Sequence, residues 1–267
     1  MAYYEVGYPY QFTASPPHET PSAGFYNTND TPLVQSHLEA LRYAHVDIGL
    51  ASWWGPGTPS DNDVSRVLNI TTDAGSPLRW AVMYRREPND HPDAGAAAVV
   101  LRSIRDRFAS RPSYAYVDGG FLFVLDAEPD SDPCSVSQRW VSANDSLGRP
   151  AFLVLRAPNT GNLAVRACSK QPAAWLAWDQ GPAFHVREDG ATLMPAWWES
   201  AETAPRLSRD LTRFRQQLAA WNDAGVRFRY LVSFNNWPAG TQVESATNYP
   251  SDSGYGAFVD ALHDVWP

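Results

Sequence analysis

The sequence predicts a single α/β domain folded as an irregular (β/α)8 TIM barrel. Three observations carry that expectation. Short, near-continuous apolar runs recur eight times, and stretches of helical periodicity lie between several of them. The chain has 267 residues, 44% of them hydrophobic, enough for one large core. No internal repeat, low-complexity tract or linker divides it, so residues 1–267 read as one domain.

The first strand is AYYEVGY (2–8). Thr31-Pro32 then forms an N-cap and first-turn pair, and Val34, Leu38 and Leu41 mark one face of the helix that follows. VDIGLAS (46–52) is the second strand, and Val64, Val67 and Leu68 mark a shorter helix. RWAVMY (79–84) is the third strand, followed by a helix face of Val100, Ile104 and Phe108. FLFVLD (121–126), AFLVLR (151–156) and AWLAWD (174–179) are the fourth to sixth strands. The stretches after the fifth and sixth are rich in proline and glycine and read as loops or short turns, which makes the barrel irregular. TLMPAW (192–197) and FRYLVSF (228–234) complete the set. Between those two, Leu207, Leu211, Phe214, Leu218 and Trp221 form a helical stripe closed by Gly225. Tyr255, Phe258, Val259, Leu262 and Val265 form the last helix face. Strands apolar on both faces are what a sheet covered on both sides requires.

The net charge of −8 and pI of about 5.2 argue against nucleic acid or an anionic membrane as partner. Basic charge is nearly all arginine, Lys170 being the sole lysine, a usage that points to a GC-rich bacterial genome. No apolar run of about 18 residues exists to span a membrane, and the N-terminus carries no charged region followed by an apolar one, so no signal peptide is read in this chain. Aromatics make up 13%, including 11 Trp, and flat aromatic faces suit sugar rings as well as cores.

In a barrel of this kind the chemistry sits at the C-terminal ends of the strands. Those ends collect Tyr8 and Tyr10, Trp53 and Trp54, Tyr84 and Glu87, Asp126, Arg156, Asp179, then Trp197, Trp198 and Glu199, and finally Asn235, Asn236 and Trp237. Aromatic plates with short polar side chains fit an oligosaccharide or polysaccharide. Glycoside hydrolysis generally sets two carboxyl groups across the scissile bond, and Glu87, Asp126, Asp179, Glu199 and Glu244 are the candidates. Each also has a plainer reading as a salt-bridge partner or helix cap, and Glu87 stands beside Arg85 and Arg86. Adjacent strand residues point to opposite faces, so at most one Trp of each pair, 53/54 and 197/198, faces inward from a regular strand. His18, in the first rim loop, reads either as a ligand contact or as a surface histidine.

No G-x-S-x-G elbow, H-E-x-x-H, paired C-x-x-C, G-x-G-x-x-G or Walker pattern appears. No metal and no cofactor is therefore expected. Cys134 and Cys168 lie in polar stretches and read as two free thiols or as one disulfide.

YPY after the first strand, AGFYNTND, TPLVQSHLEAL and VDIGLASWWGPG together resemble the glycoside hydrolase family 99 endo-α-mannosidases and their bacterial relatives. LVSFNNWPAGTQVESA is similar to the family pattern S-[FW]-N-E-W-x-E-G-T-x-I/V-E and is the most specific part of the likeness. DPCSVSQRW, ACSKQP and SGYGAFVDALH look like exported bacterial proteins of the same group, in which the two cysteines would pair. The resemblance implies a (β/α)8 fold and retaining cleavage of an internal or terminal α-linked glycoside, and the chain is expected to be an extracellular or periplasmic monomer. In the family the first motif glutamate acts as base on the sugar 2-hydroxyl, through an epoxide-like intermediate, and the second is the general acid and base. Carried over, those positions are Asn236 and Ala239, neither of which transfers a proton as a carboxyl does. Glu244 matches a later, separate glutamate, and Glu87 and Asp126 match ligand-binding or supporting positions. Three accounts stay open. Catalysis has moved to Glu87, Asp126, Glu199 or Glu244; or Ala239 is an introduced alanine; or the chain is a non-catalytic sugar-binding pseudoenzyme. The expected function is hydrolysis of an α-mannan-like or related bacterial or fungal glycan, with the pseudoenzyme as the alternative.

Overall fold

Eight parallel strands fall on the eight apolar runs. In the computed structural model, residues 1–85, 91–127, 132–158, 165–178, 184–186 and 189–265 are described. The strands are β1 (Ala2–Tyr4), β2 (Ile48–Trp53), β3 (Arg79–Tyr84), β4 (Tyr116–Val117), β5 (Gly120–Asp126), β6 (Ala151–Pro158), β7 (Ala174–Trp178), β8 (Phe184–Val186), β9 (Gly190–Leu193) and β10 (Phe228–Leu231). They form one sheet in the order β7-β6-β5-β3-β2-β1-β10-β9-β8, with β4 paired to β5. β4 and β8 are short antiparallel additions, and the other pairings are parallel.

The sheet curls until β7 and β9 stand side by side. The Trp175 amide donates to Asp189 Oδ2 at 3.0 Å. A Cβ at Gly190 would lie 2.4 Å from Leu176 Cδ2, so a side chain there would push the two strands apart. Among the described residues no backbone ladder joins β7 to β9, and the (β/α)8 expectation holds as a curled, mostly parallel sheet rather than as a ladder closed all round.

Helices cover the outer face. They are α1 (Tyr10–Ala14), α2 (Thr31–Tyr43), α3 (Pro59–Asp73), α4 (Ala94–Arg107), α5 (Pro133–Asp145), α6 (Leu211–Asn222) and α7 (Ala257–Val265). Three of their starts are capped by aspartate side chains. Asp93 accepts from the Ala96 amide at 2.8 Å, Asp132 from those of Cys134 and Ser135, and Asp210 from that of Arg213 at 2.9 Å. At α2 the cap position is Asp30, one residue before the expected Thr31, with Pro32 in the first turn. Neighbouring helices pack as α3 on α2, α2 on α7, α7 on α6, and α4 on α5. Between β6 and β9 the described residues show helix only at Val165 and Arg166, where the proline and glycine content leads to an expectation of loops or short turns.

Strand alternation decides which face each rim residue serves. Tyr4 meets His37 of α2 edge-on, Trp53 Nε1 donates to Asp61 of α3 at 2.9 Å, and Tyr84 packs on Trp140 of α5. These residues belong to the helix layer. Trp53 is 0% and Tyr84 2% exposed, which corrects the expectation that they line a sugar site. Their odd-even partners, Tyr3 and Arg85, point the other way and line a cavity at the C-terminal rim.

Candidate active site

The loop after β10 is held in place by its own hydroxyls and one glycine. The Asn236 amide donates to Ser233 Oγ at 2.8 Å, and the Trp198 amide to the Ala239 carbonyl at 3.0 Å. Gly240 has φ +63°, and a Cβ there would sit 2.7 Å from the Trp198 carbonyl oxygen. The segment after β9 and the loop after β10 are thereby pressed together. Asn236 and Ala239 open onto one rim cavity of about 140 Å³, whose wall also includes Tyr3, Arg85, Arg156, Trp197, Glu199 and Tyr230.

The charges around this cavity are arranged in pairs. Asp126, at the end of β5, accepts from Arg85 and, at 2.7 Å, from Arg156 Nη1. Burial opposes the Arg85 cation, but Asp126 first, with Tyr3 and Glu5 after it, holds its pKa above the ordinary value. With both carboxylate oxygens on guanidinium groups, Asp126 is an anchor for two arginines in this arrangement. Glu199 accepts from Trp197 Nε1 at 3.0 Å, and Arg206 lies 3.8 Å away and over the Trp197 ring. It is half-buried and keeps one side toward the cavity.

Glu5 was not among the candidates, because it reads as one polar residue inside an apolar strand. It is buried just past the end of β1. Its Oε2 accepts from the Tyr3 hydroxyl at 2.8 Å, and its Oε1 from Ser52 Oγ at 2.7 Å and the Gly7 amide at 2.9 Å. Asn235 secures it from behind, with Oδ1 accepting the Glu5 amide at 2.7 Å and Nδ2 donating to the Glu5 carbonyl at 3.0 Å. Asn235 is 0% exposed, so it supports the backbone here and does not meet a ligand, contrary to expectation. A polar residue in an otherwise apolar strand beside the YPY turn was the signal that could have flagged Glu5.

Glu5 also reaches the wall of a larger rim groove of about 740 Å³, which holds Tyr8, Tyr10, Trp54 and Asp63. Tyr10 is 73% and Trp54 37% exposed, so two expected aromatic plates do face solvent. The Asp63 carboxyl titrates above its ordinary range. Partial burial is the main cause, Arg66 opposes it and Glu5 adds to it. Tyr8 is buried, its hydroxyl donating to the Asn235 carbonyl at 2.7 Å. A third pocket, about 140 Å³, lies beyond Trp198. There His18 stacks on Trp198 at 3.9 Å and pairs with the Glu199 carbonyl at 3.0 Å, which places it at the rim as expected.

Glu244 is elsewhere. Its Oε2 accepts from Tyr26 at 2.6 Å and from Trp237 Nε1 at 2.7 Å, and its Oε1 pairs with His37 Nε2 at 3.0 Å. His37 Nδ1 in turn meets the Tyr4 hydroxyl at 2.9 Å. The carboxylate is enclosed by protein partners, so the expectation of a catalytic role gives way to a clasp between α2 and the β10 loop. Trp237 is 1% exposed and spends its one N–H donor in that clasp. Glu87 and Asp179 lie outside the described residues. Cys134 and Cys168 form a disulfide, which ties the start of α5 to the segment before β7. Among the described residues no three metal-ligating side chains gather.

Solved structures of other proteins share this fold. A GH99 endo-alpha-mannosidase from Bacteroides thetaiotaomicron, in complex with BIS-TRIS-propane, superposes with a TM-score of 0.75 over 98% of this chain and 94% of its own, at 14% identity. The fold is that of the GH99 endo-α-mannosidases. A second GH99 endo-alpha-mannosidase structure from B. thetaiotaomicron gives a TM-score of 0.68 at 15% identity, over 93% and 82% of the two chains. A glycoside hydrolase-like protein gives 0.69 at 14%, over 99% and 92%. No protein-family model and no curated protein matches the sequence. In this fold Asn236 and Ala239 share one cavity wall with Tyr3 and Glu199.

Proposed function

We propose that the protein acts on α-linked glycans, of the α-mannan kind or a related bacterial or fungal polysaccharide, as a glycoside hydrolase whose site is the rim cavity at Asn236 and Ala239. The observation that carries this reading is that both positions, reached from the sequence motif, open onto the same cavity in a GH99-like fold. Trp197 and Tyr230 give the wall apolar area, and Asn236, Thr241 and Glu199 bring polar groups that suit hydroxyls. The solvent-facing Trp54 and Tyr10 extend the surface for further sugar units.

One observation favours the pseudoenzyme as a second reading. Neither Asn236 nor Ala239 transfers a proton, and Asp126 is bound by two arginines. Titration calorimetry with α-manno-oligosaccharides, alongside a reducing-end assay, separates the two. Binding with turnover supports the enzyme, and binding without turnover supports recognition alone. Absence of both removes the glycan reading. Ala239→Glu, made singly and with Asn236→Glu, adds the matching test. Turnover that appears on restoration points to a family-type site that has lost its acids.

The disulfide favours an oxidising compartment, and we place the protein outside the cytoplasm as a monomer. Among the described residues no helix is long and apolar enough to cross a membrane.

A further inference from the structure

An acid–base couple stands at the rim cavity apart from the family positions, with Tyr3 on the wall and Glu5 behind it. Tyr3 lines the cavity beside Asn236 and Ala239, and its hydroxyl donates to Glu5 Oε2 at 2.8 Å. Ser52 and the Gly7 amide hold the other Glu5 oxygen, and Asn235 holds the Glu5 backbone on both sides, so the carboxylate is fixed with one oxygen against the phenol. Arg85 lies 5.6 Å from the Tyr3 ring centroid and is itself fixed by Asp126. Burial and Glu5 keep Tyr3 protonated at rest, while Arg85 favours the phenolate. A phenol hydrogen-bonded to a fixed carboxylate has a general base in place beside it, as a tyrosine nucleophile requires. A tyrosine serves as nucleophile in one class of glycoside hydrolases, the sialidases.

We propose that Tyr3, with Glu5 as its general base, is the nucleophile of a retaining glycoside hydrolysis in this cavity. The proposal rests on the α-glycan reading above. The Tyr3 oxygen forms a bond to the anomeric carbon as the bond from that carbon to the leaving oxygen breaks. The phenol proton passes to Glu5 Oε2, and Glu199, on the cavity wall and carrying its proton at the start of the cycle, gives that proton to the leaving oxygen. Water then attacks the anomeric carbon of the glycosyl-tyrosine and gives one proton to Glu199. The phenolate leaves and recovers its proton from Glu5. Two water-derived atoms, one oxygen and one hydrogen, end on the sugar, and every protein group returns to its starting state.

The test uses the full chain with 5-fluoro-α-D-mannosyl fluoride as trapping probe, 2,4-dinitrophenyl α-D-mannoside as substrate, and α-manno-oligosaccharide binding as control. The expected result is one glycosyl adduct per chain, mapped by peptide mass spectrometry to Tyr3. Tyr3→Phe takes no label and loses roughly 1,000-fold in kcat while binding oligosaccharide as before. Glu5→Gln lowers kcat roughly 100-fold with KM unchanged, a split that a loss of packing alone does not produce. An adduct on another residue overturns the proposal, and so does wild-type turnover by Tyr3→Phe. Oligosaccharide binding with neither label nor turnover in the wild type overturns the nucleophile and leaves the glycan reading standing. Absence of binding overturns both. Adduct mapping needs only the wild-type chain, so a variant that fails to fold does not remove the test.

Discussion

Three donors converge on one buried carboxylate at Glu244, and the consequence is a prediction about stability rather than activity. His37, Tyr26 and Trp237 all depend on it, and His37 links it to Tyr4 on β1. Removing it by Glu244→Ala strands those groups in a dry site, and unfolding in urea is expected to show a loss of about 3–5 kcal/mol. A change below about 1 kcal/mol would mean that the clasp is not formed in solution. Asp126 carries the same logic at the cavity. Asp126→Ala removes the carboxylate that Arg85 and Arg156 share, so both stability and glycan binding are expected to fall. Single residues were the least legible scale in the sequence. Glu244 and Glu5 are both acids near strand ends, and composition does not say which one faces a cavity. Glu244 drew attention through its motif position, and Glu5 drew none because an apolar strand surrounds it. Trp53 and Tyr84 failed for a related reason. The last residue of a strand can serve either face, and for both of these it was the helix layer.

At the level of elements the pattern was far more legible, because burial on both faces leaves an unmistakable apolar run. β3 matches its expected bounds residue for residue, and β5 and β6 differ by one and two residues at a single end. β9 begins at Gly190, two residues before the expected start, since glycine gives no apolar signal although its lack of a side chain is what admits Leu176. Gly49 on β2 serves in the same way. A Cβ there would lie 2.2 Å from the Trp80 ring, which is itself pinned by a hydrogen bond to Thr71 of α3. Gly49→Ala should cost about 1–3 kcal/mol by thermal or chemical unfolding, and an unchanged midpoint would contradict this packing. The disulfide closes a separation of 34 residues. Replacing both Cys134 and Cys168 by Ser should remove up to about 4 kcal/mol by the chain-entropy relation. A double variant as stable as the wild type would show that the bridge adds nothing to the fold.

For the whole molecule, charge and aromatic content set the behaviour with pH. Tyr3, Tyr4, Tyr8, Tyr26, Tyr114 and Tyr230 are buried, and burial raises the pKa of each. A folded-state pKa above the unfolded value means that the stability is whole below about pH 10 and falls as pH rises past it. Ultraviolet titration should show these tyrosines ionising only on unfolding, and a normal titration of all 12 in the native state would contradict the burial. The single α/β domain with its mostly parallel sheet was readable from the chain, because it follows from periodicity and local sequence. The partners across the rim were not, because Tyr3, Arg85, Arg156 and Asn236 come from four separate strands or strand ends that only the folded sheet brings together. The central claim is that this meeting point is a sugar site. A crystal structure of the protein soaked with an α-manno-oligosaccharide tests it most directly. The expected result is a sugar ring in the cavity, hydrogen-bonded to Asn236 and within reach of Tyr3 and Glu199. A ring bound elsewhere, with this cavity filled only by water at saturating ligand, would contradict it.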